Sequence, residues 1–64
     1  MVKINGESSE LAGVNLLDYL NSSGYNPKLI AVEINLEIVP KSAYSGTIFK
    51  DGDTVEIVNF VGGG

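Results

Sequence analysis

A chain of 64 residues with a formal net charge of −4 has room for one small domain, near the lower size at which a hydrophobic core suffices without staples. It contains no cysteine and no histidine, which excludes disulfides, thiolate metal sites, Cys or His nucleophiles and an imidazole general base. With a pI near 4.3 and Lys3, Lys28, Lys41 and Lys50 as its cations, the chain repels phosphate backbones and anionic membranes, so the expected partner is a protein, with no nucleic acid and no membrane.

The elements follow in chain order. Val2 and Ile4 alternate with Lys3, and the Asn5-Gly6 dipeptide suits a two-residue hairpin turn, so a second strand is predicted from Glu7 onward. Leu16, Leu17 and Leu20 share a face at helical spacing, with Asn15 placed to cap, Asp18 in the first turn and Gly24 to end the helix. Tyr25-Asn26-Pro27 breaks that pattern. Val32 and Ile34 then alternate with Glu33, and a short turn at Asn35-Leu36 leads into Glu37, Ile38 and Val39 as a second strand pair. Pro40 ends the pair, Ser42 to Ser45 suit a single helical turn, and Lys50-Asp51-Gly52-Asp53 turns into a last strand from Thr54 to Phe60. Apolar runs such as Leu29 to Val32 are too short to span a bilayer, and Glu7 and Glu10 do not fit a signal peptide, so a cytoplasmic location is expected.

This order predicts an α+β domain of two layers, with one helix on one face of a mixed sheet of about five strands. The last strand is apolar on both sides: Val55 and Ile57 point one way, Val58 and Phe60 the other. The expected core is Val55 and Ile57 together with Val2, Ile4, Leu17, Leu20, Val32, Ile34 and Ile38. Val58 and Phe60 then lie on the open face as a docking surface. The competing reading has the strand partly covered on both sides by neighbouring side chains and the loop around Tyr44. Tyr19, Tyr25 and Tyr44 are expected as half-buried packing residues rather than a binding cage.

No Cys or His offers chemistry, and Asp51-Gly52-Asp53 lacks the spacing of a calcium loop, so no metal site is expected. Asp53 and Glu56 fall on opposite sides of the strand, which disfavours an acid–base pair, and Asn35 in its tight turn is expected to serve its own backbone. What remains is the ending Val61-Gly62-Gly63-Gly64. Three glycines make an extended, flexible tail able to thread a narrow slot, and a main-chain carboxylate brought against the α-phosphate of ATP tolerates no nearby Cβ. An inert, frayed end is the alternative.

Taken together, these residues resemble the small sulfur carrier proteins of thiamine thiazole biosynthesis, relatives of the molybdopterin sulfur carrier and of ubiquitin. The resemblance covers nearly the whole chain and rests on Asn5-Gly6-Glu7, the Leu16-Leu17-Asp18-Tyr19-Leu20 helix, Val32-Glu33-Ile34-Asn35, Glu37-Ile38-Val39-Pro40, Lys50-Asp51-Gly52-Asp53, Val55-Glu56-Ile57-Val58 and the glycine end. The family often has Gly where Leu36 stands, Arg at Lys41 and Trp at Tyr44. The resemblance implies a ubiquitin-like β-grasp domain over 1–60 and a tail over 61–64. It also implies a carrier without catalytic residues or bound cofactor, which acts as a substrate of its partners. A ubiquitin-activating-like adenylyltransferase would use ATP to adenylate Gly64, with Val61, Gly62 and Gly63 recognised as the tail. A cysteine desulfurase would supply sulfur for a thiocarboxylate, and thiazole synthase would receive it. Rival readings are a carrier for molybdopterin or another thiolated product, a β-grasp module that only binds, and a modifier conjugated to lysines.

Overall fold

The first two strands, β1 (Val2–Ile4) and β2 (Glu7–Ser9), form a hairpin because Asn5 and Gly6 both adopt positive φ, 49° and 87°, the turn whose twist matches antiparallel strands. The computed structural model describes residues 1–60. A single helix, α1 (Leu16–Ser22), follows. Asn15 caps it: its Oδ1 accepts from the Asp18 N–H at 3.1 Å, while its Nδ2 donates to the Ser45 carbonyl at 2.8 Å. A helix of seven residues is marginal alone. It persists because Leu16 and Leu20, one turn apart, are both fully buried.

A 3₁₀ turn at Pro27–Leu29, which the sequence pattern did not signal, feeds β3 (Ile30–Ile34). The Asn35-Leu36 turn, again with positive φ at both residues (53° and 70°), leads into β4 (Glu37–Val39). A second 3₁₀ segment, Lys41–Gly46, stands where one helical turn was expected, and β5 (Thr54–Asn59) closes the fold. The sheet has five strands in the order β2-β1-β5-β3-β4. β5 lies in the middle, parallel to β1 and antiparallel to β3. The expected two-layer, mixed-sheet architecture is the one observed.

The core lies between the sheet and α1. Val2, Val32 and Val55 are fully buried and Ile4 and Ile57 nearly so, as the strand alternation predicts. Other positions correct the sequence reading. Ile38, expected inside, is 75% exposed, because the two-residue turn pairs Ile34 with Glu37. Ile38 then falls opposite Glu33 on the open face, and Val39 opposite Val32 on the core side. Leu17 and Ile34 are only half-buried; the helix begins one residue before Leu17, so Leu16 takes the inward place.

The core also includes Ile30, Tyr44 and Phe49, Tyr44 from the 3₁₀ segment and Phe49 from the irregular stretch after it. Tyr44 is 3% exposed rather than half-buried. Phe49 is held by two backbone bonds, its N–H to the Val14 carbonyl at 2.9 Å and its carbonyl accepting from Gly13 at 2.8 Å. Its ring meets Tyr19 edge-on at 5.7 Å, a favoured aromatic geometry.

Candidate functional site: the central strand and its open face

Strand β5 is the last described element before residues 61–64, and every neighbour grips it. At its start, the Asn35 N–H donates to the Thr54 carbonyl at 2.8 Å. The Asn35 side chain accepts from the Thr54 N–H at 3.0 Å and donates to Asp53 Oδ1 at 3.0 Å. In the middle, the Asn5 N–H donates to the Val55 carbonyl at 2.9 Å, and the Asn5 side chain takes over both backbone groups of Ile57. At the far end the Phe60 N–H donates to the Leu29 carbonyl at 2.8 Å. The Asn35 side chain therefore serves the start of β5 and Asp53, where the sequence reading expected it to serve its own backbone.

The side of β5 away from α1 is open. Val58 pairs with Ala31, Glu56 with Glu33 and Thr54 with Lys3 in register, and Val58 and Phe60 are 58% and 54% exposed. Tyr44 joins the core on the helix side, so the loop around it leaves this face uncovered. One contact here escaped the sequence reading: the Lys41 ammonium donates to the Ile30 carbonyl at 2.9 Å and lies 5.8 Å from the centre of the Phe60 ring. The two residues are distant in sequence, and no pattern announces the pair. Val61, Gly62, Gly63 and Gly64 lie outside the described residues.

Elsewhere the chemistry is sparse. Among the described residues, no group of three or more Asp or Glu side chains is arranged to hold a metal ion. Asp53 is occupied as a turn residue, Oδ2 accepting from the Lys50 N–H at 2.8 Å. Asp51 pairs with the Met1 ammonium, and that hydrogen bond and charge hold its carboxyl below the usual carboxylate range. A groove of about 350 Å³ runs beside β4, lined among others by Ile38, Pro40, Thr47, Ile48 and Lys50. No described helix is long and apolar enough to cross a membrane.

A mixed sheet with parallel first and last strands side by side at its centre, grasping one helix, defines a ubiquitin-like β-grasp protein. The model of the ThiS family matches residues 2–64, and the chain belongs to that family. It is similar to a thiazole synthase of Paramagnetospirillum magneticum, 47% identical over 62 residues that make up 95% of this chain and 19% of that protein. It is also similar to the sulfur carrier protein ThiS of Bacillus subtilis, 45% identical over 47 residues, covering 73% of this chain and 71% of that one. The crystal structure of a thiamine biosynthesis protein (ThiS) from Geobacter metallireducens superposes with a TM-score of 0.80 at 31% identity, over 98% of this chain and 97% of that one. Against the thiazole synthases it matches, the chain spans only about a fifth of their length, 19% and 20%.

Proposed function

We propose that this chain is a sulfur carrier of thiamine thiazole biosynthesis, loaded at the carboxylate of Gly64, and that it acts in the cytoplasm as a substrate of its partners and not as an enzyme. The observation that carries the reading is the family match, which runs through Gly64 on a chain without a cysteine. A carrier with no thiol holds sulfur only where a carboxylate oxygen stood.

In this reading a carboxylate oxygen of Gly64 attacks the α-phosphate of ATP on a ubiquitin-activating-like adenylyltransferase and pyrophosphate leaves. The terminal sulfur of a persulfide, supplied through a cysteine desulfurase, then displaces AMP from the acyl carbon, and a second thiol cleaves the acyl disulfide to leave the thiocarboxylate. Adenylation provides the leaving group that a carboxylate lacks. Val61, Gly62 and Gly63 are the recognised approach to the reacting end, and Val58 with Phe60 is the face on which the activating enzyme docks. The thiazole synthase of Paramagnetospirillum magneticum, which contains a stretch like this chain, supports thiazole synthase as the sulfur acceptor.

Co-expression with such an activating enzyme and a desulfurase is expected to give an intact mass with one oxygen replaced by sulfur, placed on Gly64 by fragmentation and so separated from oxidation of Met1. A carboxylate that never exchanges with any such enzyme overturns the reading.

A further inference from the structure

Two stretches of backbone flank the groove beside β4, and each turns the main-chain groups of one residue toward it. On the β4 side the phase is set from β5. Ile34 stands opposite Val55, and the bond to the Thr54 carbonyl comes from the next residue, Asn35. Bonded and non-bonded positions alternate in antiparallel pairs, so the Ile34 groups turn the other way, to Glu37. At the following pair, Glu33 with Ile38, Ile38 therefore turns its N–H and carbonyl outward, past the edge of the sheet. Across the groove, the Leu16 N–H donates to the Thr47 carbonyl at 2.8 Å and the Phe49 N–H to the Val14 carbonyl at 2.9 Å. These bonds flank the bridge of Asn15 with Ile48, so Ile48 turns its own N–H and carbonyl away from Asn15. Both isoleucines line the groove.

Free main-chain donors and acceptors at a sheet edge are met by another extended backbone. The charges say which kind. Glu37, Lys50 and Asp53 also line the groove. Asp53 is engaged by Asn35 and by the Lys50 N–H, whereas Glu37 is exposed. Among the described residues the ion pair formed is Met1 with Asp51, which leaves Glu37 without a cation. Two carboxylates against one ammonium, on a chain of net charge −4, favour a cationic occupant. A second copy fits poorly: in symmetric pairing about Ile38 the next outward position is Pro40, which has no N–H, and two acidic molecules are brought together. We propose that this groove receives an extended, lysine- or arginine-bearing segment of a partner protein. The segment adds as a strand beside β4, its backbone bonded to Ile38 and facing Ile48, its cation beside Glu37. This edge is separate from the face of Val58 and Phe60 and independent of any chemistry at Gly64.

The probe is a short capped peptide alternating lysine with valine, titrated into the isotope-labelled full chain and followed by its amide resonances. A glutamate–valine peptide is the control. The Ile38 and Ile48 signals are expected to shift together and saturate with the lysine peptide, the Ile38 amide proton exchanging more slowly, and to stay in place with the control. Glu37→Lys is expected to weaken binding by about fivefold. Ile38→Pro, which removes an N–H that the β3 ladder does not use, is expected to weaken it by about tenfold; if that variant does not fold, Glu37→Lys carries the test. Saturating shifts at Val58 and Phe60 instead put the peptide on the open face and overturn the proposal. Equal shifts with the glutamate peptide, an unchanged affinity of Glu37→Lys, or no shift at millimolar peptide overturn it as well. Ile38 shifts that grow with protein concentration alone make the occupant a second copy, and also overturn it.

Discussion

The side chain of Asn5 and the backbone of Ile57 exchange two hydrogen bonds, the Ile57 N–H donating to Asn5 Oδ1 at 2.8 Å and Asn5 Nδ2 donating to the Ile57 carbonyl at 3.2 Å. Strand β1 ends at Ile4 and turns away into its hairpin, so the Asn5 amide stands in for the next residue of a strand that is no longer there. At the other turn Asn35 does the same for Thr54 with its Oδ1. Both asparagines occupy left-handed positions, which Asn tolerates better than other side chains.

Asn5→Gly keeps the positive φ and removes only the amide, so it isolates those two bonds. Urea unfolding is expected to show a loss of about 1–2 kcal/mol, since the Ile57 groups are left unpaired in a half-buried setting. A variant as stable as the wild type leaves the amide with no structural weight.

Leu36 holds φ at 70°, where a Cβ is crowded, and its side chain is 85% exposed. Leu36→Gly relieves that crowding and removes no core contact. The expected gain is about 1 kcal/mol, read as a higher urea midpoint at unchanged slope.

Tyr44 is almost fully buried. Burial pushes its hydroxyl above the ordinary value of 10.0, against a smaller opposite pull from a hydrogen bond with the Val32 backbone. The folded state thus binds this proton more tightly than the unfolded chain, so its contribution is intact below pH 10.0 and lost as pH rises through the folded value. Stability measured through the alkaline range is expected to fall in the wild type, and to fall less steeply in Tyr44→Phe.

Phe60→Asp places a charge on the open face without entering the core. Affinity for the activating enzyme, measured by titration calorimetry, is expected to drop by about tenfold or more, while the circular dichroism spectrum stays native. Unchanged affinity, or unfolding, removes Phe60 from the docking surface.

The sheet and helix were legible because each element carries its own local signal. The Asn5-Gly6 and Asn35-Leu36 turns, the Leu16–Leu20 spacing under an Asn15 cap and the alternation of Val55 and Ile57 all act over a few residues. Phe49 and Tyr44 were not legible as core, since Phe49 lies in an irregular stretch and Tyr44 in a short 3₁₀ segment, neither long enough to carry a period that marks an inward side. Ile38 was misplaced because one residue of turn register decides the face of the whole strand.

The sequence by itself determined the element order, the two asparagine turns and the absence of thiol and imidazole chemistry, all consequences of residue type and near-neighbour spacing. Tertiary structure alone decided that β5 lies between β1 and β3, which side of it stays open, and that Lys41 reaches Phe60. Those relations close loops of many residues, and their outcome depends on which surfaces pack together, a balance that no local stretch of the chain encodes.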